Sequence, residues 1–166
     1  MGQGNKDEER EGLVGGRLIV SHFAHYLDPK KRLTIPASWR ELVGEPSALY
    51  IMPGLKNEKC LYVYPAREMP RLLERIRGIG SGDQRAKAFA RFLGYKSDYV
   101  SWDPQGRIRI RDDLLEFAGL AECVEMHGAW NHIELWNEKE FNRWKSEQGV
   151  EQTSMADMQR YFEDEM

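Results

Sequence analysis

The sequence repeats itself, and this constrains the fold more than any other feature. Asp28-Pro29-Lys30-Lys31-Arg32-Leu33-Thr34-Ile35 aligns with Asp103-Pro104-Gln105-Gly106-Arg107-Ile108-Arg109-Ile110 at an offset of 75, and the register continues through Glu41 with Glu116 and Gly44 with Gly119. A second block aligns at an offset of 72: Leu61-Tyr62-Val63-Tyr64 with Ile133-Glu134-Leu135-Trp136, then Arg67-Glu68-Met69 with Lys139-Glu140-Phe141. Two blocks in the same order describe a duplicated unit of roughly fifty residues. Small insertions between the blocks account for the change of offset.

Both copies read alike. A short strand (23–27, and again 99–102) leads into Asp-Pro, a turn-forming pair. The chain then alternates: Leu33 and Ile35 share one face and Arg32 and Thr34 the other, while Ile108 and Ile110 oppose Arg107, Arg109 and Arg111. Such alternation marks a half-buried strand. A short helix follows each time. Pro36 suits its first turn and Gly44 its end; in the second copy Asp112 or Asp113 is the expected cap and Gly119 the stop. Further strands are expected over 49–52, 61–64, 124–127 and 133–136. Tyr64-Pro65 opens a helix that Pro70 forces to restart. Asn137 with Glu140 three residues on has the form of a capping box. A helix over 83–93, stopped by Gly94, joins the copies, and 155–162 forms a last short one. The class is α+β, rich in short strands, with two pseudo-symmetric halves.

Composition narrows the function. Of 166 residues (19.4 kDa), 41% are hydrophobic and 11% aromatic, enough for a packed core. No run approaches the ~20 apolar residues of a membrane-spanning helix. The opening MGQGNKDEEREG lacks the apolar stretch of a secretory signal. Two cysteines, Cys60 and Cys123, are too few for a disulfide scaffold or a structural zinc site, so a reducing cytoplasm is expected. The net charge of -3 excludes a uniformly basic nucleic-acid binder, but charge is unevenly spread. Residues 134–166 hold four basic and nine acidic side chains, whereas 67–91 carry an excess of +4. A local basic face, not the total, is what meets a phosphate backbone.

The candidate chemistry lies in the doubled Asp-x-x-x-Arg. An aspartate opening a turn bonds the amides just beyond it, so the simplest reading is an Asx-turn with a local ion pair. The duplication and the surrounding charge argue for more. Lys30, Lys31 and Arg32 are consecutive, and Arg107, Arg109 and Arg111 recur along the second copy. Arginine suits phosphate oxygens and guanine edges, and a two-stranded ribbon fits the major groove of DNA. Paired aspartates from related halves also raise the possibility of a proton-sharing acid protease dyad. The arginines and lysines beside them argue against it, since positive charge keeps both carboxyls ionised. His22 and His25 fall on opposite faces of a strand, and His127 and His132 read as surface or packing residues. Cys60 and Cys123 read as small buried residues, and Arg85, Lys87 and Arg91 as a solvated helix face, with a phosphate contact as the alternative. No phosphate-binding glycine loop, nucleophile triad or cofactor motif occurs, so neither cofactor nor metal is expected.

Asp28-Pro-Lys-Lys-Arg32-Leu-Thr-Ile-Pro-Ala, the second Asp103-Pro-Gln-Gly-Arg107-Ile-Arg-Ile, and Ile133-Glu-Leu-Trp136 resemble the MraZ family, bacterial transcriptional regulators of the division and cell wall gene cluster. The resemblance spans roughly residues 15–150. It implies a β-rich duplicated AbrB-like swapped-hairpin (double-psi-like) barrel with flanking short helices, and no enzyme activity. The implied organisation is a flexible acidic extension (1–14), SpoVT/AbrB-like domains at 22–69 and 97–140, linker helices at 70–96, and a C-terminal helix with an acidic tail at 141–166. It further implies a ring-shaped homo-oligomer, cytoplasmic and nucleoid-associated, that binds double-stranded DNA at promoter repeats upstream of its own operon. The family motifs fall on Asp28 with Arg32 and on Asp103 with Arg107, with Lys30 inside the first. Asp28 and Asp103 would then fix the turns, and Lys30, Lys31, Arg32, Arg107 and Arg109 would face DNA. The alternative is a ring-forming interaction scaffold without DNA contact. Three departures stand out. The N-terminal extension is longer and more acidic than the resemblance leads one to expect. Lys31 occupies a position where the family usually has Gly, so a different turn type is expected there. The chain past Gly149 is expected to lack a family counterpart.

Overall fold

The computed structural model describes residues 18–77, 84–150 and 153–165. The acidic extension at 1–14 lies outside them, as does Asp83 at the start of the expected linker helix. The first copy runs β1 (His22–Tyr26), β2 (Arg32–Thr34), α1 (Ala37–Val43), β3 (Ala48–Pro53) and β4 (Cys60–Pro65). A 3-10 turn (Ala66–Glu68) passes into α2 (Met69–Arg77), and α3 (Gln84–Lys96) leads to the second copy. There β5 (Asp98–Ser101), β6 (Arg107–Arg109), α4 (Asp112–Ala118), β7 (Cys123–Gly128) and β8 (Ile133–Trp136) follow in the same order, then α5 (Glu138–Gln148) and α6 (Met155–Glu165).

Six strands form one antiparallel sheet in the order β1-β7-β8-β4-β3-β5. Exchanging the copies turns this order into its own reverse, so the sheet has a pseudo-twofold axis between β4 and β8. On that axis Leu61 pairs with Leu135 and Val63 with Ile133. The first strand of each copy is donated to the other: β1 lies on β7 and β5 on β3. The remaining strands, β2 and β6, pair with each other as a separate ribbon, Leu33 opposite Ile108. Alternation sends Leu33, Ile35, Ile108 and Ile110 inward, each fully buried. They meet Leu49, Ile51, Leu61, Val63, Val124, Met126, Ile133 and Leu135 of the sheet in one core, joined by Trp39 of α1 and Leu114 of α4. Each such aliphatic side chain contributes about 1.5–3 kcal/mol.

The structure corrects several expectations. The barrel is not closed: among the described residues, β1 and β5 are the two edge strands of an open sheet. The ribbon strands are three residues each and pair only with one another, so they cover one face of the sheet and do not bridge its edges. Arg111 does not belong to the strand face, because β6 ends at Arg109 and Arg111 is the N-cap residue of α4. Neither Asp112 nor Asp113 caps that helix; both lie in its first turn, where negative charge favours the dipole. Gly94 does not stop α3, which continues to Lys96 and ends where the Ser97 amide and hydroxyl both donate to the Leu93 carbonyl (2.9 and 2.5 Å). A glycine inside a helix costs only about 1 kcal/mol, too little to end one. Cys60 is buried as expected, but Cys123 is exposed at the start of β7. The Asn137 cap forms, its Oδ1 accepting from the Lys139 and Glu140 amides (2.9 and 3.4 Å). The Glu140 carboxylate turns away to Arg143 (2.7 Å), which leaves the box half made.

Candidate nucleic-acid interface

Each strand-to-ribbon connection is a five-residue turn built around one aspartate. In the first copy Asp28 Oδ1 accepts from the Lys30 and Arg32 amides (2.9 and 2.8 Å), and Oδ2 accepts from Arg32 Nε (2.6 Å). In the second, Asp103 Oδ1 accepts from the Gln105 and Arg107 amides (both 2.9 Å), and Oδ2 from Arg107 Nε (2.8 Å). The backbone closes both turns the same way. The Lys31 amide donates to the Asp28 carbonyl (2.9 Å) and that of Gly106 to Asp103 (2.8 Å). The expectation of a different first turn is therefore wrong. Lys31 takes φ +60° where Gly106 has +78°, and the bonds match one for one. The geometry is set by the aspartate bonds, and a lysine accepts the strain of the left-handed region to satisfy them.

The ribbon sets the turns side by side. The Ile35 amide donates to the Gly106 carbonyl (2.8 Å), and across the dyad the Ile110 amide donates to the Lys31 carbonyl (3.1 Å). Arg107 Nη1 lies 4.0 Å from Asp28 Oδ2, so the two motifs share one electrostatic cluster. Lys30 and Lys31 are exposed beside it, and Arg32 and Arg107 are half-buried. Arg109 faces Arg32 across the ribbon. It is exposed, and it bonds the Ile110 carbonyl and Asp112 Oδ1 (3.2 Å). The sequence-expected residues are thus brought together, apart from Arg111. Its guanidinium is drawn to Asp113 (2.5 Å) and to the Ser97 and Lys96 carbonyls (3.2 and 3.0 Å).

Desolvation works against ionisation of Asp28, but the amide and guanidinium of Arg32 outweigh it and hold the carboxyl below its ordinary value. For Asp103 the Arg107 amide is the largest influence, and its carboxyl is also lowered. Two ionised carboxylates, each claimed by its own turn, do not suit a proton-sharing dyad.

Two further features were not visible in the sequence. Arg40 lies against Gly106: a Cβ there would come within 2.6 Å of the guanidinium, whose Nε donates to the Ile35 carbonyl (3.0 Å). The 75-residue offset puts Leu115 at the equivalent place in the second copy, so this contact is one-sided. The other is a polar cluster on the far face of the sheet, where Glu58, Cys60 and Glu134 bring ligand-type atoms within 4.8 Å of one another. Its two carboxylates are already engaged. The Tyr62 hydroxyl donates to Glu58, and His132 Nε2 and the Trp136 indole bond Glu134 (both 3.0 Å). Burial, then the Glu134 and Glu58 charges, push the Cys60 thiol up. Burial pulls the Glu134 carboxyl up too, but its bonds from His132 and Trp136 leave it lowered. Such a cluster needs strand pairing to assemble, and no local spacing signals it. Among the described residues, no helix is long and apolar enough to cross a membrane.

Comparison with known proteins adds an independent line. A family model described as "MraZ protein, putative antitoxin-like" matches residues 96–164. The match extends past Gly149, so the C-terminal segment has a family counterpart after all. A Symbiobacterium thermophilum protein named transcriptional regulator MraZ is 33% identical over 138 residues, covering 83% of this chain and 97% of its own length. Proteins of the same name from Micrococcus luteus (37% over 132 residues; 79% of this chain, 89% of that protein) and Clostridium acetobutylicum (31% over 140; 84% and 95%) are similar.

Proposed function

This chain belongs to the MraZ family, and from that premise we propose that it is a sequence-specific DNA-binding transcriptional regulator. It works as a ring-shaped homo-oligomer in the cytoplasm, on the nucleoid, at short repeats upstream of its own division and cell wall gene cluster. The observation that carries this reading is the pairing of two bond-for-bond equivalent Asp-x-x-x-Arg turns across the β2–β6 ribbon.

Asp28 and Asp103 are positioning residues that hold each arginine by Nε. The Nη ends of the two forks then meet phosphate oxygens or guanine edges as rigid groups, with little side-chain entropy left to lose. Lys30, Lys31 and Arg109 add phosphate contacts that set orientation. The turns are alike in backbone and unlike in charge, since Gln105 and Gly106 stand where the first copy has Lys30 and Lys31. A protomer therefore offers one strongly and one weakly basic turn, and reads DNA with a direction. Few cations per protomer mean weak binding alone, and a ring on repeated sites gains ~100-fold or more in avidity.

The test is fluorescence anisotropy on DNA from upstream of the gene and on scrambled DNA, titrated with salt. It compares wild type with the Arg32→Ala/Arg107→Ala variant. Repeat-dependent binding that the variant loses while keeping its fold is the expected result. Equal weak binding to both DNAs, unchanged in the variant or by salt, overturns the reading.

A further inference from the structure

Two exposed apolar features of this chain are complementary, and neither is covered by the described residues of its own protomer. The first is a cavity of about 380 Å³ between α2, α3 and the β3–β5 edge, lined by Met69 and Leu73, by Leu93, and by Tyr50 and Tyr99. Leu73 remains 42% and Tyr99 55% exposed at its mouth. The second is α6. Met155, Met158 and Phe162 recur at helical spacing along one stripe, and Met158 and Phe162 are 46% and 56% exposed. Every described residue from Thr153 to Asp164 is exposed, so α6 stands clear of its own body.

Charge selects the occupant. Residues 67–91, which hold α2 and most of α3, carry an excess of +4; residues 153–166 hold four acidic side chains and one basic. The match persists at the rims. Helical spacing puts Lys87 and Arg91 on the flank of α3 next to the cavity-lining Ala90 and Gly94, and both are exposed. Glu163 borders the Met158–Phe162 stripe on α6. Asp98, at the strand end of the cavity, accepts from the Tyr99 amide (3.0 Å).

We propose that α6 of one protomer docks, apolar stripe down, into the α2–α3 groove of a second copy, with Glu163 against Lys87 and Arg91. The anchors sit at i, i+3 and i+7, as in a helix laid into a groove. The contact is heterologous, head to tail, the kind that generates rings when the rotation closes. The proposal rests on the homo-oligomer reading above and names the surface that makes it.

The test uses the full chain with Phe162 replaced by the photocrosslinking residue benzoylphenylalanine. Unlabelled and 15N-labelled chains are dissociated and reassembled together, irradiated, and the joined peptides read by mass spectrometry. The expected products join α6 of one isotope to α2 or α3 of the other. Sedimentation then measures assembly: Leu73→Glu and Phe162→Glu, both at exposed positions, each weaken it by about 30-fold. Glu163→Lys weakens it too, and Lys87→Glu/Arg91→Glu restores the Glu163→Lys protein. Cross-links confined to one isotope show α6 folding onto its own body and overturn the proposal. Cross-links between two α6 helices, or assembly indifferent to all these variants, overturn it and leave the oligomer itself intact. A wild type that sediments as a monomer overturns the oligomer reading along with it.

Discussion

Replacing Lys31 with glycine separates the fold of the first turn from its proposed contact with DNA. Lys31 holds φ +60°, its amide donates to Asp28 and its carbonyl accepts from Ile110. Both bonds are backbone bonds, so glycine keeps them. The left-handed conformation costs a residue with a Cβ about 1–2 kcal/mol. Glycine removes that strain and costs about 0.5–1 kcal/mol in chain entropy. The balance is a gain of roughly 0–1.5 kcal/mol, a melting temperature unchanged or raised by up to ~6 °C. The exposed ammonium is lost at the same time, and the log–log salt slope of DNA binding falls by about 0.9 for each Lys31 that meets a phosphate. Lys31→Ala is the control: the same charge is lost and the strain stays. Differential scanning calorimetry and anisotropy titrations in graded salt measure the two arms. A Lys31→Gly protein that melts more than ~2 °C below wild type refutes the strain argument. An unchanged salt slope removes Lys31 from the interface.

Gly106 is the mirror case: φ is +78° and Arg40 is in the way, so Gly106→Ala destabilises by about 1–3 kcal/mol in chemical denaturation, and adding Arg40→Ala recovers part of the loss. The depressed carboxyls of Asp28 and Asp103 contribute to the acid limb. Their contribution to stability is complete above the ordinary value of 3.8 and is lost as pH falls from there through the folded-state values. Thermal scans from neutral pH to below 3.8 show a steeper decline for wild type than for Asp28→Asn/Asp103→Asn; parallel declines contradict the assignment. Asn137→Ala removes the cap of α5 and its tie to the Gly119 carbonyl (2.9 Å), costing about 1 kcal/mol and speeding amide exchange at Lys139 and Glu140. Protection unchanged at those amides counts against the cap.

What the sequence made legible was local or duplicated. Alternation placed Leu33, Ile35, Ile108 and Ile110 in the core, and the Asp-Pro signal located both turns. Partner choice was not legible. The two copies present equivalent strands, so β1 has the same local reason to join the hairpin of its own copy as that of its twin, and only the packed whole decides. Lys31 misled because residue type predicts backbone angle only where nothing stronger acts, and here three aspartate-anchored bonds do. Arg111 misled because alternation has no marker for where a strand stops. Of the candidate site, the residue list could be read from the repeat. The Arg107–Asp28 approach and the Arg40–Gly106 contact could not, since each depends on one copy meeting the other.

The exchange of first strands bears on how the protomer comes together. Neither half owns a complete three-stranded layer: β1, made first, waits for β7 and β8, and β3 and β4 wait for β5, which emerges after the linker. During synthesis the amino-terminal half must hold an unpaired strand until the last hairpin arrives. Severed at 78–83, the two pieces would be obligate partners whose association depends on concentration. The covalent join replaces that search by an internal one, at an effective concentration in the millimolar range for a short tether. Dilution therefore leaves the sheet of each chain whole.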